Sequence, residues 1–394
     1  MGPGLIVAAA DNDAGGITTY SVVGAQFGYS FLWVLLIITL SLAVTQEMGA
    51  RAGIATGKGL ASLIRERFGV KWTAIALLAT LLANLATTVT EFAGIAASLE
   101  IFGLTRYIST PLAALLIFFL VTRGNYKKVE RIFLVSSVVY LSYIISGVLA
   151  QPDWEAALKG AFVPSFQLDG PFVLAFIATV GATITPWGQF FIQSYVVDKR
   201  LAPEELTYER ADVYTGALFT NVVAAFIIIA CAATLYINGR VISEAQDAAV
   251  ALVPLAGRFA EILFGFGLLN ASVLSAAILP MSSSYVLCEG LGFEAGVDRS
   301  LDEAPWFYGI FTFFIVFGAG FVLLNVPLIS LALFSQTINA IFLIPILIFL
   351  LKLTNDEEVM DKYANGLVFR IIAGVTIAFL IVLSVLLAVT TFMF

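Results

Sequence analysis

The chain has 394 residues, of which 60% are hydrophobic and 12% charged, with a formal net charge of −7 and no histidine. Soluble globular proteins are roughly 45–50% apolar and about 25% charged, so this composition rules out a soluble domain and leaves disorder, disulfide scaffolding and nucleic-acid binding without support. Without imidazole, zinc hydrolases and Ser-His enzymes lose their usual ligand or base, so no enzyme activity and no cofactor are expected.

A membrane-crossing helix uses about 20 apolar residues. Apolar windows fall at 4–28, 30–50, 72–102, 108–122, 132–150, 171–196, 213–237, 258–287, 305–325, 328–351 and 367–392. They predict an all-α membrane protein of about 11 helices forming a single transmembrane domain over 1–394. The opening Met1-Gly2-Pro3-Gly4 has no basic n-region, so no cleavable signal is expected. The first span contains Asp11-Asn12-Asp13-Ala14-Gly15-Gly16 and the sixth contains Gly181-Ala182-Thr183-Ile184-Thr185-Pro186-Trp187. Gly pairs and an internal Pro free backbone groups that hydrocarbon cannot satisfy, so both spans are expected to be broken at an interior site.

The two breaks occupy corresponding places in two five-helix halves, helices 1–5 over 1–150 and helices 6–10 over 171–352. Five is odd, so the halves insert with opposite orientation, the inverted-repeat pattern of secondary transporters. The eleventh helix, at 363–394, falls outside the repeat. The stretches Gln151 to Gly170 and Leu201 to Asp212 read as ordinary connectors, and Cys231 and Cys288 as buried thiols. Four of the 20 Lys and Arg (Arg106, Lys159, Arg240 and Arg258) fall outside if the N-terminus is cytoplasmic. The remaining sixteen, Lys127 and Lys128 among them, then lie on the cytoplasmic side, which places the C-terminus outside.

Asp13 leads the candidate site, because a carboxylate at membrane depth is costly and is usually kept for an ion or a partner. It can also N-cap the half-helix that follows the break. Asp11 and Asn12 share its segment, but the stretch fails as an EF-hand, with Gly15 and Val22 at the fifth and twelfth positions. In the sixth span Thr185 offers a hydroxyl, and the Pro186 break frees the carbonyl of Ala182; Ala10 offers a carbonyl in the same way. Gln336, near Thr337 and Asn339, supplies neutral oxygen to the same cavity or bonds helix to helix. Glu91, deep in the third span, is expected to be a hydrogen-bonded carboxyl partnered by Thr87, Thr88 or Gln336, with a second ion ligand as the alternative. Glu47, one turn before Arg51, reads as an interfacial ion pair. These donors are hard oxygen and select Mg²⁺, Ca²⁺ or Mn²⁺. Mg²⁺ dehydrates reluctantly, so one sure carboxylate fits a partly hydrated ion best.

The runs G-P-G-L-I-V-A-A-A-D-N-D-A-G-G from Gly2, F-G-Y-S-F-L-W-V from Phe27, G-I-A-T-G-K-G-L-A-S-L-I-R-E-R-F-G from Gly53, T-E-F-A-G from Thr90, A-T-I-T-P-W from Ala182 and S-Q-T-I-N from Ser335 together resemble the NRAMP metal transporters over nearly the whole chain. The resemblance implies a LeuT-like fold, divalent-metal import by alternating access, and metal ligands from the first and sixth spans. The family's D-P-G-N reads Asp13-Ala14-Gly15-Gly16 here, its M-P-H reads Thr185-Pro186-Trp187, and Thr88 stands where the family often has a second acid before Glu91. These departures resemble the branch of NRAMP-related magnesium transporters. Carried over by position, the metal site is Asp13, Thr185, the carbonyls of Ala10 and Ala182, and Gln336, with Gly16 opening space.

The expected function is therefore import of Mg²⁺, and also Mn²⁺, down its gradient without protons, with a proton-coupled Mn²⁺/Fe²⁺ importer as the alternative. A sodium symporter for an anionic solute conflicts with Asp13 at the site. An intramembrane aspartyl protease conflicts with Asp11 and Asp13 sharing one segment. The expected setting is the cytoplasmic membrane of a prokaryote, with the bilayer and the metal ion as the partners and no obligate protein partner.

Overall fold

The structure, a computed structural model, describes residues 2–123, 131, 135, 137–297 and 299–393. Lys127 and Lys128, and the opening of the fifth predicted span at 132–134 and 136, lie outside the described residues. Helix α1 spans Pro3–Asp11, opening on a Pro whose missing N–H costs nothing in a first turn. Helix α2 covers Ala14–Phe27 and ends at Gly28, whose φ of +60° suits glycine. Next come α3 (Leu32–Thr56), α4 (Leu60–Phe68), α5 (Val70–Ile101), α6 (Arg106–Thr122) and α7 (Leu141–Leu149). The chain continues through α8 (Trp154–Phe162), α9 (Gly170–Thr183), α10 (Pro186–Asp198) and α11 (Leu206–Thr234). The short α12 (Ala245–Ala248) and α13 (Val253–Ala256) lead into α14 (Ala260–Leu291) and α15 (Pro305–Val322). Helices α16 (Leu328–Asn355), α17 (Glu357–Met360) and α18 (Leu367–Met393) complete the order.

Among the described residues, eight helical stretches are long and apolar enough to cross a membrane, and Arg106–Thr122 and Val138–Leu149 are shorter apolar helices. Helices α1 and α2 have 9 and 14 residues. At 1.5 Å per residue neither reaches across a hydrocarbon core of about 30 Å on its own. Helix α11 packs against α1, α2 and α3, while α14 and α16 both pack on α5, with α14 also touching α1 and α16 touching α2. Helix α9 lies on α16 and α2, and α10 lies on α3 and α14. The joints between α1 and α2 and between α9 and α10 are thereby enclosed by protein, where irregular backbone is tolerated.

Small residues bring these backbones together. A Cβ on Gly181 of α9 would sit 1.8 Å from the carbonyl oxygen of Gln336 and 2.8 Å from the amide nitrogen of Ala340. Gly181→Ala must therefore push α9 off α16, at a cost of about 3 kcal/mol by overpacking. The expected outcome is a lower thermal midpoint of the detergent-solubilised protein, with little loss for Gly374→Ala, where a Cβ meets nothing within 4 Å.

Three expectations change. The stretch Gln151 to Gly170 is not a plain connector: α8 lies within it, capped by Asp153, whose Oδ1 accepts the Ala156 N–H at 3.0 Å. In the second connector α11 already begins at Leu206, and Asp212 on it accepts the N–H groups of Gly2 and Leu5 at 3.0 Å each, satisfying orphan donors of α1. The Glu47–Arg51 pair forms at 3.0 Å but is buried rather than interfacial, because Arg210 of α11 and the segment before α18 close over it.

Candidate functional site: the paired helix breaks

Both breaks are built alike. Asn12 and Asp13 leave helical geometry, and the Asp13 side chain caps α2 by accepting the Gly16 N–H. Ile184 and Thr185 are extended, and Thr185 Oγ1 caps α10 by accepting the Gly188 N–H at 3.3 Å. In each case a short polar side chain takes up a donor that the helix start leaves free. Two helix C-termini, those of α1 and α9, end beside these caps, and their carbonyls favour cations. Pro186 has no N–H to offer the Ala182 carbonyl, the acceptor one turn earlier. The Ala10 carbonyl is present but shared, since it accepts the Ser275 hydroxyl of α14 at 2.9 Å.

The carboxylates are fully buried. Asp11 and Asp13 are 2% and 1% exposed, and Glu91 is 0% exposed. Glu91 does not meet Thr87, Thr88 or Gln336; its Oε2 accepts the orphan N–H of Ala14 at 3.1 Å, and its Oε1 has no partner. Thr87 instead bonds Ala83 and Asn339. Gln336 does reach the first break, but with the other end of its amide. Its Oε1 accepts from Asn339 at 2.8 Å, which leaves Nε2 over Gly15, 2.1 Å from where a Cβ would lie. Gly16 lies tight against the break: a Cβ there would stand 3.1 Å from both the Asp11 carbonyl oxygen and Asp13 Oδ1.

Thr185 lies nearer Asp11 than the sequence reading implied, with its Oγ1 3.5 Å from Asp11 Oδ1. The other Asp11 oxygen, Oδ2, accepts from Gln46 Nε2 of α3 at 3.4 Å. Sequence reading passed over Gln46, although a glutamine in the middle of an apolar helix was a usable signal. It also passed over Tyr20, whose hydroxyl bonds Thr183 at 2.8 Å and ties α2 to α9, and Thr220, which donates to the Ala8 carbonyl at 3.0 Å. Trp187 is buried, with its Nε1 unpartnered. Among the described residues no three of His, Cys, Asp and Glu converge as a metal cage. Carboxylate, hydroxyl, amide and carbonyl oxygen around a joint between helix ends can hold a hard cation that keeps part of its water.

Residues 4–390 match the family described as Natural resistance-associated macrophage protein-like. Similar curated proteins include the divalent metal cation transporter MntH of Yersinia pestis, 30% identical over 99% of this chain and 94% of its own length. That of Bacillus subtilis is 26% identical over 100% of this chain and 92% of its own. Among solved structures, a manganese transporter of Eremococcus coleocola superposes with a TM-score of 0.79 at 21% identity, over 99% of this chain and 85% of that one. A nucleobase-cation-symport-1 family transporter superposes with a TM-score of 0.61 at 15% identity, over 99% of this chain and 93% of that one. The match along almost the whole length, on an all-helical chain with enclosed helix joints, assigns this chain to the Natural resistance-associated macrophage protein-like (Nramp) family.

Proposed function

We propose that the chain is a secondary-type transporter that imports divalent metal ions, chiefly partly hydrated Mg²⁺ and also Mn²⁺, by alternating access and without proton coupling. The donor set carries this reading. Residues 8–16 and 182–188 contain no thioether, thiol or imidazole, and oxygen alone favours hard ions that keep water. The relatives named as divalent metal cation transporters support the ion class. In this reading Asp13, Thr185 and the carbonyls of Ala10 and Ala182 hold the ion, Gly16 leaves room for its water, and Gln336 steadies the first break.

The halves 1–150 and 171–352 work as five-helix inverted repeats, and helix 11 at 363–394, outside them, brings the spans to eleven. The matching caps at Asp13 and Thr185 support that symmetry. The N-terminus faces the cytoplasm and the C-terminus faces outward, in the cytoplasmic membrane of a prokaryote, in keeping with the Lys/Arg asymmetry. The metal is cargo, so no cofactor and no catalytic residue are assigned.

The alternative is a proton-coupled importer of Mn²⁺ or Fe²⁺. One observation favours it: Glu91 is buried behind Asp13 with an unpartnered Oε1. Against it stands the Trp187 indole, which carries no titratable proton. Membrane potential suffices for uptake, since moving two charges across 100 mV is worth about 4.6 kcal/mol. The deciding experiment loads proteoliposomes with a pH dye. Mg²⁺ and Mn²⁺ are expected to enter and to respond to voltage while internal pH stays flat. Metal-dependent, saturating acidification would replace this reading with the proton-coupled one.

A further inference from the structure

Asp13 has a structural occupation as well as a proposed functional one, because its carboxylate caps α2. Asp11 has no such occupation. It is the last residue of α1, where the terminal helix carbonyls already carry partial negative charge. A carboxylate cannot cap carbonyls, since it accepts and does not donate. Its two contacts, Thr185 Oγ1 at 3.5 Å and Gln46 Nε2 at 3.4 Å, are long. Hydrogen bonds to ionised carboxylates usually close to about 2.7–2.9 Å. The group is thus buried, loosely held and close to a second buried carboxylate. Among the described residues neither Asp11 nor Asp13 forms an ion pair. Uncompensated buried charge is strongly destabilising, so something of opposite sign belongs beside them.

A second observation points to a ligand there. Gln46 is 1% exposed, its Nε2 is turned to Asp11, and its Oε1 has no partner. Water bound to a cation turns its hydrogens outward, so the shell around a hydrated ion needs acceptors. Asp11 and Gln46 Oε1 are acceptors with unused capacity.

Resting on the import reading above, we propose that Asp11 is the second carboxylate of the cation site. Seated between the two breaks with Thr185 and Gln46, it gives the site two negative charges, which one divalent ion neutralises. Asp13 supplies the charge from the α2 side and Asp11 from the α1 side, and the Gln46 amide receives the ion's water.

The test compares Asp11→Asn and Asp13→Asn with the wild type in detergent. Mn²⁺ and Mg²⁺ chloride binding is read by calorimetry, and thermal unfolding is followed with and without metal. Asp11→Asn is expected to weaken both ions by about 10- to 100-fold. It is also expected to shrink the metal-induced rise in melting temperature, with no fall in the metal-free melting temperature, because a buried charge has been removed. A lower metal-free melting temperature with wild-type affinity would assign Asp11 a purely structural role and overturn the proposal. If Asp11→Asn does not fold, Asp11→Glu keeps the charge but moves it by a methylene. An unchanged affinity in that variant overturns the proposal equally. Loss of binding in Asp13→Asn alone would sink Asp11 and leave the import reading standing, whereas wild-type binding in both Asn variants would sink the site itself.

Discussion

Asp13→Asn is expected to reduce Mg²⁺ and Mn²⁺ uptake by at least about 100-fold, a loss larger than outer-shell partners typically give, while the protein still folds. Asparagine is the informative replacement because it caps helices as well as aspartate does. The Gly16 N–H keeps its acceptor, and only the charge at the break is lost. Asp13→Ala removes cap and charge together and should cost a further 1 kcal/mol or so of stability. Thr185→Ala should weaken uptake far less, since water can replace a neutral oxygen. The measurement is radiotracer or dye-monitored uptake into proteoliposomes, normalised to folded protein recovered by size exclusion. Uptake by Asp13→Asn within a few-fold of wild type would remove this carboxylate from the transport path.

Much of this arrangement was legible in the chain, for reasons that can be stated residue by residue. The break at Pro186 is local chemistry, since a residue without an N–H cannot continue α9. The break at Asp13 is local too, because a short side chain at the start of an apolar run caps it. Oxygen-only donors could be counted directly from the sequence. What stayed hidden depends on three-dimensional neighbours. Nothing in the Asn12 to Gly16 run says that Glu91, distant in sequence, takes up the Ala14 N–H. The bond between Asn339 and Gln336 Oε1 turns the Gln336 amide nitrogen toward Gly15, and no motif encodes that choice. Asp11 ranked below Asp13 because both lie in one segment. Only the fold shows that Thr185 and Gln46 gather around Asp11 instead.

The burial of Glu47 is the other feature that sequence spacing misjudged, and it leads to a large expected effect on stability. Arg51 is 3% exposed; its Nε bonds both Glu47 oxygens at 3.0 and 3.1 Å, and its outer nitrogens donate to the Tyr363 carbonyl and to Asn365 Oδ1. Asn365 in turn donates to Thr354 Oγ1 and Asn355 Oδ1, each at 2.8 Å, so the guanidinium links α3 to the end of α16 and the start of α18. The Phe369 ring lies 5.2 Å from the guanidinium carbon. Arg210 also bonds Glu47 at 2.7 Å, but its side chain is 42% exposed. Arg51→Leu leaves a buried carboxylate with one half-exposed partner and strips two acceptors of their donor. A loss of about 3 kcal/mol is expected, the lower end for breaking a buried pair. Arg210→Leu should cost under about 1 kcal/mol, because a half-exposed partner is already screened by water. Replacing Glu47 and Arg51 together by leucine should cost less than Arg51→Leu alone, since no charge is then stranded. Thermal unfolding of the detergent-solubilised variants measures all three, and equal losses for Arg51→Leu and Arg210→Leu would show that burial does not set the strength of this network.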